Sequence, residues 1–209
     1  MRELVGKFAL IAFTFLFSAL AHSQQVDVTV GGGILESPTP NLTSLSFQQP
    51  AEKGGIYPVV GADFVGTFRK YHRVGLSAET SWRNGKANYP FTAETYRPFL
   101  TDVNALYQPR ITKKIGLDLS AGIGFASTQF FLPPASVCSA PGGGCTNYTS
   151  TTHFLENIGG GLRYYVWHRI PHVFVRPEIR YYHIQSNYQF HSDNVARLGA
   201  SIGYTFGTK

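Results

Sequence analysis

Residues 195–206 read Val-Ala-Arg-Leu-Gly-Ala-Ser-Ile-Gly-Tyr-Thr-Phe, and large and small side chains alternate along this stretch. One face carries Leu198, Ala200, Ile202, Tyr204 and Phe206, and the other carries Arg197, Gly199, Ser201, Gly203 and Thr205. A repeat of two residues is the period of a β-strand. In a soluble sandwich the large face would point into the core, whereas in an outer-membrane barrel it would face lipid. The rest of the chain favours the barrel.

The same alternation recurs along the chain and predicts seven further strands. They lie at about 26–35, 56–69, 73–83, 96–109, 115–129, 154–167 and 173–186. Pro177 falls inside the last of these, and proline cannot donate a hydrogen bond to a neighbouring strand. We therefore expect either a bulge or a wrong strand boundary at that position.

The connections between these strands alternate in length. The longer ones are 36–55, 84–95, 130–153 and 187–194, and the short ones are 70–72, 110–114 and 168–172. Long outer loops alternating with short periplasmic turns are typical of outer-membrane barrels, and an even number of strands leaves both termini on the periplasmic side. The sequence predicts an all-β fold, a transmembrane eight-stranded antiparallel up-and-down β-barrel.

Charged residues fall in mid-strand on the small, polar face. They are Asp63, Glu79, Asp102, Asp118 and Glu178 among the acids, and Arg69, Arg163, Arg176, Arg180 and Arg197 among the bases. The interior of an eight-stranded barrel is just wide enough to be filled by side chains. Charges buried there must be paired and hydrogen-bonded, and acids and arginines are predicted in equal number. This pattern predicts a charged, filled interior and disfavours a wide water channel.

The last strand also carries a family resemblance. Arg197-x-Gly199-x-x-Ile202-x-Tyr204, followed by Phe206, resembles the C-terminal signal by which outer-membrane barrels are recognised for insertion. That pattern usually ends on a terminal aromatic residue, whereas here residues 207–209 follow. With the strand pattern, the whole of residues 24–209 resembles the OmpA-like eight-stranded outer-membrane barrels. The resemblance implies residence in the cell outer membrane, contact with its lipids, and insertion by the barrel-assembly machinery.

Residues 1–23 have the composition of a secretory signal peptide. Arg2 and Lys7 precede an apolar run over 8–20, and small residues end at Ser23. The run is shorter than the roughly 20 residues that a spanning helix requires. Cleavage there leaves 24–209 as the barrel domain.

The chain has two cysteines, Cys138 and Cys145, in its longest predicted outer loop. In an exported protein such a pair predicts a disulfide bond that closes a small loop. A two-cysteine metal site is the alternative, although no further ligands lie nearby in the sequence.

We expect a structural or surface-interaction role, with a surface ligand bound by the outer loops, a monomeric state, and no cofactor, nucleic acid or enzymatic activity. A small pore is one alternative. A lipid-modifying enzyme resembling lipid A deacylases is another, because His191-Ser192-Asp193 contains a base, a nucleophile and an acid. Consecutive side chains in an extended chain point in different directions, so this run does not itself form a triad. His183 with Ser186 is an equally loose pair.

Overall fold

Alternating side chains form long β-strands in the computed structural model, which describes residues 25–39, 49–69, 71–89, 94–112, 114–132, 148–166 and 172–207. The strands are β1 (Gln25–Glu36), β2 (Ile56–Arg69), β3 (His72–Trp82), β4 (Ala87–Asn88), β5 (Thr95–Pro109), β6 (Ile115–Phe131), β7 (Tyr148–Tyr165), β8 (Val173–Ile184) and β9 (Asn194–Gly207). No helix in these ranges is long and apolar enough to cross a membrane. The predicted signal peptide, Cys138 and Cys145 lie outside the described residues.

The long strands form a closed antiparallel barrel. Each pairs with its neighbours in the sequence, β1 pairs with β9, and β3 pairs with β5 across the two-residue strand β4. β4 pairs only with the start of β5 and extends that hairpin beyond the barrel wall. The predicted eight-stranded up-and-down barrel is therefore confirmed.

The two faces of the wall differ as an outer-membrane barrel requires. Large apolar side chains point outward on every long strand, and Val30, Ile158 and Ile202 are each about 60% exposed. The inward face carries small, polar and charged side chains, together with an apolar layer near the long-loop end. This layer, the apolar plug, consists of Leu35, Tyr57, Leu100, Ala126, Leu155, Tyr182, Ile184 and Val195.

β7 begins earlier than its alternation predicts. The sequence predicts a start at Phe154, whereas the β6–β7 ladder continues to the Phe131–Tyr148 pair. Residues 148–153 are mostly hydroxylated on both faces, so they carry no apolar alternation. The hairpin therefore rises above the apolar band, where neither face meets lipid.

Pro177 produces neither a bulge nor a strand boundary. β8 begins at Val173 as predicted, and the β7–β8 register is the same on both sides of the proline. Pairing with β7 is missing only opposite Leu162 and Arg163. The missing N–H of the proline thus interrupts the ladder for two residue pairs without shifting the strands.

Candidate functional site

The barrel interior gathers most of the charges that the sequence assigns to it. Nine of the ten predicted residues face the lumen with buried side chains, namely Asp63, Glu79, Asp102, Asp118, Arg163, Arg176, Glu178, Arg180 and Arg197. The strands place them at the middle and turn-end levels of the barrel, below the apolar plug. Their alternation with small residues leaves room for the long arginine side chains.

Arg69 differs from the prediction, because its side chain is exposed at the end of β2. The β2–β3 register shifts between Thr67 and Arg69, so parity counted from the strand centre no longer gives the side-chain direction. Asp27 takes a place in the interior instead and is fully buried. The sequence signal for this inward direction was the alternation of Asp27 and Thr29 with the valines of β1. The interior cluster thus contains six carboxylates and four guanidinium groups rather than five of each.

At the turn end of this ion-pair cluster, two arginines share the aspartates. Arg163 contacts Asp27, Asp63 at 3.3 Å and Asp118 at 2.9 Å. Arg176 contacts the last two at 3.2 and 3.3 Å. The aspartates come from β1, β2 and β6, so the two arginines tie together opposite walls of the barrel.

Towards the apolar plug, the cluster is organised by Glu79. Its carboxylate accepts hydrogen bonds from Arg197 and from Arg180 at 3.3 Å, and it lies 3.8 Å from Arg176. Arg197 also contacts Glu178 at 2.8 Å, and Arg180 contacts Asp102 at 2.6 Å. Glu79 therefore joins the two halves of the cluster into one network.

Neutral groups complete the cluster. Ser77 donates a hydrogen bond to Asp63 at 2.7 Å, and the Arg163 guanidinium lies 3.9 Å from the centre of the Phe174 ring. Two interior cavities, of about 10 and 20 Å³, adjoin Asp118. Each is about the size that holds a single water molecule. Among the described residues, buried charged side chains and the apolar plug thus occupy the lumen.

The long-loop end of the barrel is covered by packed aromatic rings. This aromatic cap consists of Tyr89, Tyr96, Phe130 and Phe190, with ring centres 5.1–6.4 Å apart. The four residues come from β5, β6 and the loops after β4 and β8. The cap thus fixes outer loops against strand ends.

Hydrogen bonds join the outer loops around the cap. Asn187 donates to the Glu52 carboxylate at 3.2 Å, and the His191 amide donates to the Pro50 carbonyl at 2.9 Å. On the other side, the Tyr89 hydroxyl donates to the Gln189 carbonyl at 2.6 Å. The loop after β8 is therefore held to both the loop after β1 and the hairpin around β4.

Glu52 is an acid buried inside this loop junction. Burial raises the pKa of the Glu52 carboxyl to about 7, against the opposing effects of the Asn187 hydrogen bond and the Arg83 guanidinium. Glu52 is not among the residues predicted from the sequence, because nothing in a loop sequence indicates that an acid is buried.

The loop residues considered for catalysis do not assemble a triad. Asp193 accepts a hydrogen bond from the Asn187 amide, and Ser192 accepts one from the Asn194 amide. His191 is exposed. These polar groups shape the turn. His183 points outward from β8, where its Nδ1 lies 3.0 Å from Asn194 Oδ1.

The residues of the C-terminal signal occupy both faces of β9. Ile202, Tyr204 and Phe206 point outward and are exposed, and the last two rings lie 4.7 Å apart. Gly199 faces inward and pairs with Gly33 of β1, where the two backbones approach closely.

Among the described residues, no group of three or more His, Cys, Asp or Glu side chains is arranged to hold a metal ion.

Comparison with protein families matches residues 8–206 to the family described as outer membrane protein beta-barrel domain. The chain belongs to this family. Its location is therefore the cell outer membrane, with the outward apolar face in contact with lipid. Short turns of such barrels lie in the periplasm, and long loops lie outside the cell. A comparison with curated proteins finds no matching sequence.

Solved structures share the fold of this outer-membrane barrel. Ail, the attachment invasion locus protein of Yersinia pestis, matches with a TM-score of 0.55 at 15% identity, over 87% of this chain and 98% of that one. Neisserial surface protein A matches with a TM-score of 0.52 at 15% identity, over 87% and 96%. A major outer membrane protein of Thermus thermophilus matches with a TM-score of 0.52 at 10% identity, over 87% and 98%. At these identities the likeness is one of fold.

Glu79→Gln tests the ion-pair cluster. Removing this carboxylate charge leaves three buried arginines with fewer partners, so we expect the free energy of unfolding to fall by about 3–5 kcal/mol. Urea unfolding of the refolded barrel, followed by its mobility on unboiled gels, measures the change. Glu156→Gln is the matched control, because Glu156 is exposed and its replacement should change stability by under about 0.5 kcal/mol. Equal stability of the two variants would contradict the role of Glu79.

The raised pKa of the Glu52 carboxyl predicts that the stability of the loop junction around it depends on pH. The pKa of its carboxyl is higher in the folded loops than in an opened state, so protonation favours the closed cap and stability falls as pH rises through about 7. Hydrogen exchange of residues 185–194, corrected for the intrinsic rate, should be about tenfold slower at pH 6 than at pH 8. Glu52→Gln should remove this difference, and Glu36→Gln should retain it. Exchange that is independent of pH in the unmodified protein would refute the prediction.

Proposed function

We propose that this outer-membrane barrel is a surface-binding protein with a closed interior, in which the outer loops form the binding surface. The observation that carries the proposal is the joining of three outer segments by Asn187–Glu52, His191–Pro50 and Tyr89–Gln189 hydrogen bonds. Loops held in this way present a preformed surface, which lowers the entropic cost of binding a ligand. The filled lumen supports this role over that of a pore.

The outer surface carries a group of cations that suits an anionic ligand. This outer basic patch consists of Lys53, Arg83, Lys86 and Arg97. Arg83 donates hydrogen bonds to the carbonyls of Lys53 and Gly54, at 3.3 and 2.6 Å. Arg97 donates in turn to the Arg83 carbonyl at 3.1 Å. These contacts bring the ends of β2, β3 and β5 together on one side of the barrel.

Three of these cations lie near aromatic rings, because the Arg83 guanidinium is also 5.9 Å from the centre of the Tyr96 ring. The Lys86 ammonium is 3.6 Å from the centre of the Phe131 ring, and the Arg97 guanidinium is 5.1 Å from that of Phe99. Cation–π contacts of this kind restrict the side chains while leaving the charges accessible. The patch is therefore partly organised before a ligand arrives.

A sulfated sugar is the ligand class that we propose for this patch. Ail, which shares the fold, was solved in complex with the heparin analogue sucrose octasulfate. Sulfate groups are anions that lysine and arginine bind through charge-assisted hydrogen bonds. This proposal is compatible with a non-catalytic role, since the hydrogen bonds of Ser192 and Asp193 serve the loop turn rather than a nucleophile.

Calorimetric titration of the refolded protein in a non-ionic detergent tests the proposal. Sucrose octasulfate should bind, sucrose should not, and added salt should weaken binding because the contacts are ionic. The triple variant Lys53→Gln, Lys86→Gln, Arg97→Gln should bind at least about tenfold more weakly, as expected for the loss of three charge contacts.

A charge-matched control separates the two ends of the barrel. The triple variant Arg69→Gln, Arg110→Gln, Lys114→Gln removes three cations from the periplasmic turns and should bind sucrose octasulfate as the unmodified protein does. Gel mobility of unboiled samples verifies that both variants fold. Unchanged binding by the outer variant, or equal loss in the two variants, would overturn the proposed ligand class.

A further inference from the structure

The turns at the periplasmic end of the barrel carry basic residues and no acidic ones. The stretches 64–78, 103–117 and 157–177, which contain the three short turns, include no Asp or Glu. Asp27 is the acid nearest the N-terminal end of β1, and it is buried in the ion-pair cluster. The cations near this end therefore face no acidic side chain of the turns themselves.

Three cations of the described turns form what we call the turn-end basic patch: Arg69, Arg110 and Lys114. Arg69 and Lys114 are exposed, and Arg110 is half-buried. The Arg110 amide donates a hydrogen bond to the Tyr71 carbonyl at 2.7 Å, which joins the first turn to the second. The patch is therefore built from two adjacent turns that are connected to each other.

Apolar side chains stand among these cations. Phe68, Tyr71 and Ile111 are 66, 55 and 62% exposed. The Arg69 guanidinium lies 5.6 Å from the centre of the Phe68 ring. Aqueous turns seldom combine exposed large apolar residues with cations, whereas the boundary between lipid headgroups and acyl chains accommodates both.

The opposite end of the barrel differs in composition. Its loops and strand ends carry the acids Glu36, Glu52, Glu94, Glu156 and Asp193 beside the outer basic patch. The cationic excess is therefore specific to the turns, and it is not a property of the whole surface.

We propose that the turn-end basic patch binds anionic phospholipid headgroups of the inner leaflet of the outer membrane. Phe68, Tyr71 and Ile111 enter the headgroup boundary, and the adjacent cations reach the phosphates. Lysine and arginine side chains extend in this way from apolar surroundings to a charged interface. The position of the patch directly below the apolar band favours a lipid over a soluble polyanion, because exposed apolar side chains gain nothing from a ligand dissolved in water.

This binding would fix the depth of the barrel in the bilayer from its periplasmic side. The apolar band alone permits tilt and vertical movement, whereas ionic contacts with headgroups favour one position. The attraction should weaken at high ionic strength, because the charges lie at the bilayer surface. It is independent of any ligand bound by the outer loops.

Electron spin resonance of spin-labelled lipids tests the proposal on the refolded barrel. The protein is placed in phosphatidylcholine vesicles, and the immobilised fraction of labelled phosphatidylglycerol is compared with that of labelled phosphatidylcholine. We expect preference for phosphatidylglycerol on the order of threefold, lost in high salt. The triple variant Arg69→Gln, Arg110→Gln, Lys114→Gln should show no preference.

The outer triple variant Lys53→Gln, Lys86→Gln, Arg97→Gln is the matched control and should keep the preference. Equal immobilisation of both lipids by the unmodified protein would overturn the proposal without any variant. Persistence of the preference in the turn variant, or its loss in the outer variant, would also overturn it. If a soluble sulfated sugar binds the turns while neither lipid is preferred, the patch serves a soluble polyanion instead. The lipid measurements do not depend on the calorimetric test of the outer patch.

Discussion

The charges buried inside this barrel must be paired with one another. Six carboxylates and four guanidinium groups occupy a lumen that is closed by a single β-sheet. None of them can turn to lipid, and each would be costly without a partner. Arginine is suited to pairing with buried acids because its guanidinium can bind several carboxylates in fixed directions. Arg163 and Arg176 do so across the barrel, and Glu79 extends the network towards the apolar plug.

This arrangement separates stability from function. The ion-pair cluster and the apolar plug occupy the membrane-spanning part, so the loops outside it are free to specialise. At the outer end the loops are joined by hydrogen bonds around the aromatic cap, and this loop junction buries Glu52. At the periplasmic end the turns are short, cationic and edged with exposed apolar side chains. One barrel can thus present different chemistry to its two compartments.

Much of the architecture could be predicted from the sequence, because lipid on one face and a filled lumen on the other impose a period of two. That signal fails where its cause is missing. Residues 148–153 lie above the apolar band, so their side chains do not alternate between apolar and polar. A register shift between β2 and β3 exposes the Arg69 side chain. The partners of each interior charge could not be predicted, since Arg163 meets Asp27 only through closure of the barrel. Burial of Glu52 depends on contacts between distant loops, and no local pattern records it.

A conductance measurement shows directly whether side chains close the lumen. Purified, refolded protein is inserted into a planar lipid bilayer, and current is recorded across it at constant voltage. The ion-pair cluster and apolar plug predict a baseline without current steps, because the buried side chains of Glu79, Arg197 and Leu35 occupy the lumen. Reproducible unitary current steps from the folded protein would show that the lumen opens and would contradict a closed interior.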